Sequence, residues 1–309
     1  MMTKKPMRKS DIRFTFFGTG DIGRFVLEEL HRAGFIPALV VTAPDAAQGR
    51  GLAVLPSPVA ELARERGIPE LRPARIGDEV VAELQKTARD VFIVADYGLM
   101  LPEALLRVPA RGVLNMHPSL LPRLRGPSPI RSAILNDERT TGVSVMQIDE
   151  EMDHGPLIAQ KKVEVREWPP RASELDELLG RAGGVLLAQI LPQWVAGDIE
   201  ARPQNHDLAT YTEKFKKNDG LLDLAGDPYR NMLKIRAFAG WPGTYAFFER
   251  GGKRIRALIL DAHLENKTLV IDCVKPEGKR ETKYEEFLRS GAKPASPPTP
   301  LPRQTASDA

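Results

Sequence analysis

A single cysteine, Cys273, stands among 309 residues. One thiol closes no disulfide within the chain, so a stapled secreted scaffold is excluded and a reducing compartment fits. Metal-ligand intervals are missing too. No run of His, Cys and Asp has the spacing of a zinc site, and no metal is expected. No apolar stretch approaches membrane-spanning length. The first residues, Met1-Met2-Thr3-Lys4-Lys5-Pro6, are basic but lead into no apolar core of the secretory kind. The expectation is a cytoplasmic protein with no membrane partner, and a monomeric state is expected with it.

Charge of either sign is nearly balanced, at a net +3, but its distribution is uneven. Residues 1–200 carry 25 Lys and Arg against 27 Asp and Glu, and residues 201–309 carry 19 against 14. A basic second half on a near-neutral first half points toward a polyanion such as nucleic acid. Charge alone is better served by an ordinary solvated, mildly basic surface.

Hydrophobic periodicity organises the first half into alternating strands and helices. Ile12–Phe17 is apolar and runs into Gly18-Thr19-Gly20-Asp21-Ile22-Gly23. Helical spacing follows through Val26, Leu27 and Leu30. Further strands are expected at Phe35–Val41, Val91–Ala95, Gly112–Met116, Thr141–Ile148 and Leu157–Val165. Helices are expected at Val59–Arg66, Gly77–Lys86, Pro127–Asn136 and Ser173–Val195, with Ser173 as cap of the last. This alternation predicts an α/β fold with a doubly wound, mostly parallel sheet. The boundaries read as a flexible start at 1–10, a catalytic domain at 11–195, a polar linker at 196–207, a second domain at 208–290 and a Pro- and Ser-rich disordered tail at 291–309. The second domain shows one helix, near Asp227–Phe238, and short strands at Thr244–Glu249, Ile255–Leu260 and Thr268–Val274.

The chemistry concentrates in residues 113–129, Val-Leu-Asn-Met-His-Pro-Ser-Leu-Leu-Pro-Arg-Leu-Arg-Gly-Pro-Ser-Pro. Asn115 and His117 are two apart at the end of a buried strand, so both side chains leave on one face. An amide donor and an imidazole on one face can hold a developing oxyanion. Asp153, in the Asp153-His154-Gly155 turn after the next strand, could orient that imidazole. Polar groups at a strand's C-terminal end, followed by a proline-stiffened loop, are how open α/β sheets build active sites. The Gly18-x-Gly20-x-x-Gly23 spacing matches a dinucleotide turn, but no acidic residue closes the second strand, and a tight strand-to-helix turn is the preferred reading. His31, His154, His206 and His263 receive no role.

Asn-x-His, Ser119-Leu120-Leu121-Pro122, Arg125-Gly126 and the later Asp153-His154-Gly155 resemble, in order and spacing, the formyltransferases that use 10-formyltetrahydrofolate. Thr42-Ala43-Pro44-Asp45, Gly49-Arg50-Gly51, Tyr97-Gly98-Leu99-Met100-Leu101-Pro102, Lys234-Ile235-Arg236-Ala237-Phe238 and Trp241-Pro242-Gly243-Thr244 narrow the resemblance to the branch acting on methionyl-tRNA. It covers residues 11–290 and weakens after about residue 250.

The resemblance implies a formyltransferase fold followed by a small β-barrel domain, here short of strands. It implies 10-formyltetrahydrofolate as co-substrate and initiator Met-tRNA as partner. Asn115, His117 and Asp153 become catalytic. Ser119, Leu120, Leu121 and Pro122, with Tyr97, Gly98 and Leu99, fall along the folate site. Arg50 falls in a loop that enters the acceptor stem, and Arg236 becomes a candidate phosphate contact. The family often continues the Arg50 loop with lysines, whereas this chain has Leu52 and Ala53. Two alternatives remain at this level: formyl transfer to an amino sugar nucleotide or glycinamide ribonucleotide, and an RNA-binding module without catalysis.

Overall fold

The computed structural model describes residues 9–48, 53–86 and 89–297. The chain divides into two compact units, one of residues 1–133, 138–168 and 173–213, the other of residues 134–137, 169–172 and 214–309.

In the first unit the strands in chain order are β1 (Phe14–Gly18), β2 (Leu39–Val41), β3 (Ala46–Gln48), β4 (Ala53–Leu55), β5 (Glu70–Leu71), β6 (Val91–Ala95), β7 (Val113–His117), β8 (Thr141–Gln147) and β9 (Leu157–Val163). Seven of them form one sheet in the order β5-β2-β1-β6-β7-β8-β9, and β3 and β4 pair separately. Every pairing from β5 to β7 is parallel, and β7–β8 and β8–β9 are antiparallel. The fold is therefore α/β with a mostly parallel sheet. All five residues of β1 and of β6 are buried, as continuous apolar runs in parallel strands require. Chain order reverses direction at β1, so the carboxyl ends of β1 and β6 make a topological switch point, with Gly18 opposite Ala95.

The helices accompanying this sheet are α1 (Asp21–Arg32), α2 (Pro58–Glu65), α3 (Asp78–Gln85), α4 (Glu103–Leu106), α5 (Pro129–Leu135) and α6 (Ala172–Ala196). Helix α1 buries Val26, Leu27 and Leu30, a spacing that puts one stripe toward the core. Helix α2 is capped by Ser57, whose Oγ accepts from Ala60 N at 3.0 Å. Two local expectations need correction. Strand β2 spans only Leu39–Val41, because Pro37 has no N–H to give a ladder. Helix α6 begins at Ala172, which places Ser173 inside the first turn rather than at its cap.

The stretch 196–207, expected as a linker, folds back onto the first unit. Arg202 exchanges backbone hydrogen bonds with Leu157 at 2.8 and 2.7 Å, and Gln204 is buried. The boundary between units falls after Glu213.

The second unit holds α7 (Pro228–Ala237), β10 (Thr244–Arg250), β11 (Lys253–Glu265), β12 (Thr268–Pro276), β13 (Thr282–Lys283), α8 (Tyr284–Arg289) and β14 (Lys293–Ala295). Its antiparallel sheet runs β13-β12-β11-β10-β14. Pattern alone gives three strands here, and the structure has five. Strand β11 continues to Glu265, and Asn266 and Lys267, both at positive φ, form a two-residue turn directly into β12. Part of the expected tail is ordered too, since Ala295 pairs with Phe247. Phe248, Ala257, Ile259, Val274 and Phe287 form the core of this unit.

Candidate active site

Strand β7 brings Asn115 and His117 to the sheet's carboxyl edge. Its antiparallel partner β8 runs from this edge back toward the start of β7, where Ile148 N donates to Val113 O at 2.8 Å. The return turn then delivers Asp153 at φ +52°. Gly155 is obligatory in this turn, because a Cβ there would lie 1.9 Å from Gln147 O. The three polar side chains meet. Asn115 Nδ2 donates to Asp153 Oδ1 at 3.3 Å, and His117 Nδ1 lies 3.6 Å from Asp153 Oδ2. The backbone N–H of Gly126 donates to that same Oδ2 at 2.7 Å. Gly126 has φ +104°, and a Cβ there would press on Thr212 O.

His117 is buried, and its Nε2 lies 2.9 Å from the carbonyl of Leu124. A carbonyl only accepts, so Nε2 carries hydrogen. Nδ1 then faces a carboxylate, which also only accepts, and a proton on Nδ1 satisfies both sides. The arrangement sets an imidazole edge beside an amide donor.

The loop after β7 is a scaffold as much as a surface. Ser119 is buried with its Oγ donating to Arg123 O at 2.7 Å, and Leu121 is buried with its N–H donating to Ser144 Oγ at 3.0 Å. Leu120 and Pro122 are half-buried. Tyr97 opens the loop after β6 and packs edge-on against Phe17 with ring centroids 5.6 Å apart. Burial pushes its phenol up to about 12. Its hydroxyl oxygen is buried with no hydrogen-bond partner among the described residues.

A cavity of about 260 Å³ opens at the switch point, lined by Asp21, Ile22, Asp96, Arg131 and Asp176 and by Pro118 and Pro127. Those prolines follow His117 and Gly126 in the chain. Sequence reading missed Asp96. Its carboxylate accepts from the N–H groups of Ile22 and Gly23 at the start of α1, which has no side-chain cap of its own. A Cβ on Gly20 would strike Asp96 Oδ2 at 2.2 Å. The Gly18–Gly23 loop is thus filled by the chain's own carboxylate, in the place where a dinucleotide turn would cradle phosphate. Although Asp96 as a residue is exposed, its carboxylate is ringed by protein, and burial raises its pKa.

Burial likewise lifts Asp176 to about 6, opposed by Arg131 and aided by Asp96 and Asp21. The folded state then holds this proton more tightly than the unfolded chain. Stability is fullest below the unfolded carboxyl range and is lost as pH rises through the folded value. Asp176→Asn should therefore raise Tm by a few degrees at about pH 7.5, on the order of 1–2 kcal/mol, and leave it unchanged near pH 4. Thermal melts at the two pH values check this. An equal shift at both would mean that no ionisation penalty resides at Asp176.

The formyl transferase family profile matches residues 12–186. A methionyl-tRNA formyltransferase of Chloroflexus aggregans is 40% identical over 250 residues, covering 80% of this chain and 79% of its own length. One from Thermus thermophilus is 40% identical over 270 residues, 86% of each chain. The chain belongs to the methionyl-tRNA formyltransferases. Among solved structures, an N-formyltransferase from Helicobacter canadensis, determined with folinic acid and dTDP-3-aminofucose, superposes with a TM-score of 0.60 at 19% identity, covering 82% of this chain and 88% of its own; at that identity the likeness is one of fold.

Of the tRNA positions expected for a methionyl-tRNA formyltransferase, Arg50 lies outside the described residues. Arg236 is half-buried in the last turn of α7. Its neighbour Lys234 is occupied within the unit, donating to Leu221 O at 2.7 Å. The basic cluster at 250–256 is ordered on paired strands. Arg254 lies 4.4 Å from the ring centroid of Phe247, and Arg256 lies 3.8 Å from that of Tyr245. Among the described residues no group of His, Cys, Asp and Glu could hold a metal ion, and no helix is long and apolar enough to cross a membrane.

Proposed function

We propose that Asn115, His117 and Asp153 are the groups with which this chain moves a formyl group from 10-formyltetrahydrofolate to the α-amine of initiator Met-tRNA. The convergence of Asn115 and His117 on the Asp153 carboxylate carries the reading. Folate supplies the formyl carbon and takes up a proton on leaving. Asn115 offers its amide hydrogens and His117 its cationic edge to the negative charge that grows on the formyl oxygen as the amine attacks. Low dielectric around the buried ring strengthens that interaction. Asp153 orients the imidazole, and Gly126 fixes Asp153 in turn. Asp153 is also assigned to help pass a proton, through water, to the departing folate nitrogen.

The loops at Tyr97–Leu99 and Ser119–Pro122 are assigned to folate because they flank the carboxyl ends of β6 and β7, where open sheets take ligands. Arg50 and Arg236 are assigned to tRNA. Family membership favours Met-tRNA over small acceptors. The deciding experiment is formylation by the purified protein of charged initiator tRNA, with elongator Met-tRNA, an amino sugar nucleotide and glycinamide ribonucleotide as competing acceptors. Transfer to a small acceptor in preference to Met-tRNA would reject the assignment.

The Arg–aromatic face of β10 and β11 is expected to meet phosphate. Replacing Arg254 and Arg256 together by alanine should weaken tRNA binding at all ionic strengths. It should also flatten the slope of log Kd against log salt by about one for each phosphate that is no longer neutralised. Folate binding should be unaffected. Parallel slopes for parent and variant would make this face an ordinary solvated surface.

A further inference from the structure

We propose that Gln204 is a positioning residue for the catalytic turn, clamping the backbone that carries Asp153 to the backbone that fixes His117; the proposal rests on the active-site reading above. Gln204 is 4% exposed, and its amide is fully used. Oε1 accepts from Arg125 Nε at 3.2 Å and from Arg125 Nη2 at 2.7 Å. Nε2 donates to Asp153 O at 2.9 Å and to Gly155 O at 2.7 Å. Two acceptor positions and two donor positions at one buried point are what a neutral amide has and what neither a carboxylate nor an ammonium has.

The two arms it joins both end at the reacting groups. On one side stand three consecutive residues. The Leu124 carbonyl accepts from His117, the Arg125 guanidinium donates to Gln204, and the Gly126 N–H donates to Asp153. On the other side is the turn that holds Asp153 in a left-handed conformation, which non-glycine residues keep only when their surroundings enforce it. Arg125 is 1% exposed and has no carboxylate partner among the described residues. Its remaining side-chain contacts are Tyr211 Oη at 3.2 Å and His206 Nδ1 at 2.9 Å, so Gln204 is its principal acceptor. The same segment is tied down by backbone bonds, Arg125 N to Thr210 O at 2.8 Å and Thr212 N to Arg125 O at 2.7 Å. Among the described residues, Gln204 is the side chain of this strap that reaches the Asp153 turn through both carbonyls.

Gln204→Met and Gln204→Glu separate its two jobs. The apolar, neutral methionine removes both sets of bonds. Glutamate keeps an acceptor for Arg125 but loses the donors and turns its oxygens on the two carbonyls. Both variants should lose about tenfold to a hundredfold in kcat, the scale of a sub-ångström to one-ångström misplacement, with the KM for folate nearly unchanged. In the free protein, the titration of His117 followed by nitrogen-15 NMR should shift in Gln204→Met as Asp153 moves away from Nδ1. Tyr211→Phe, which alters Arg125 without touching the Asp153 turn, should leave kcat and the titration as in the parent. If Gln204→Met is too unstable to study, Gln204→Glu carries the kinetic test. Parent-like kcat in a folded Gln204 variant, or an unmoved His117 titration in Gln204→Met, overturns the proposal. The NMR result does not depend on the acceptor. A shifted titration in a protein inactive on Met-tRNA would therefore reject the proposed function while leaving the clamp in place.

Discussion

His117→Ala should lower kcat for formyl transfer to Met-tRNA by about a hundredfold or more while leaving folate binding close to that of the parent. The ring is buried at the end of β7 and offers the only cationic edge on Asp153 among the described residues. Removing one preorganised donor from a desolvated site costs about 10²–10³ in rate, because nothing mobile replaces it when charge develops. The cavity left by the ring is partly polar, so water can enter, and the loss should not reach the uncatalysed rate. Asn115→Ala is expected to behave in the same way, since its amide shares the same carboxylate at 3.3 Å. Steady-state rates with saturating folate, together with a folate titration, check both. Near-parental turnover in folded forms of both would remove the oxyanion assignment.

The second large effect is expected from Asp153→Asn. The substitution keeps volume and removes charge. It also breaks the hydrogen-bond arithmetic, since Asp153 accepts from Asn115 on one oxygen and from Gly126 on the other. An amide can accept on one side only, so its NH₂ must face one of those donors. His117 meanwhile loses the carboxylate that faces its Nδ1. Activity should fall at least as far as in His117→Ala. Circular dichroism should show the fold intact, because the turn is also held by Gln204 and Gly155. If the rate matched that of the parent, Asp153 would have no electrostatic part in the reaction.

Much of this was legible along the chain because it is local. The periods of β1, α1, β6 and β7 follow from apolar spacing, and the parallel sheet follows from their alternation. Asn115 and His117 share a face because strand geometry allows nothing else two residues apart. The order of Asn115, His117 and Asp153 sufficed for the family resemblance. Other segments were misread. The end of β11, Asp261–Glu265, alternates polar residues with Ala262 and Leu264, a strand period that the expected end at Leu260 cut short. The stretch 196–207 is polar and proline-bearing like a linker, yet it is docked by backbone pairing and by Gln204, which composition does not encode.

The sequence by itself determined the fold class, the family and the spacing of Asn115, His117 and Asp153, because propensity, period and spacing are properties of neighbours in the chain. Only the tertiary structure decided that Asp96 fills the glycine loop of α1, that Asp176 is held in burial beside it, and that Gln204 joins Arg125 to the Asp153 turn. Those partners lie about 75, 80 and 50 residues apart, respectively. At such separations a polar residue's function is set by which buried groups the packed sheet leaves for it to satisfy, and that is fixed by the fold rather than by the residue's neighbours in sequence.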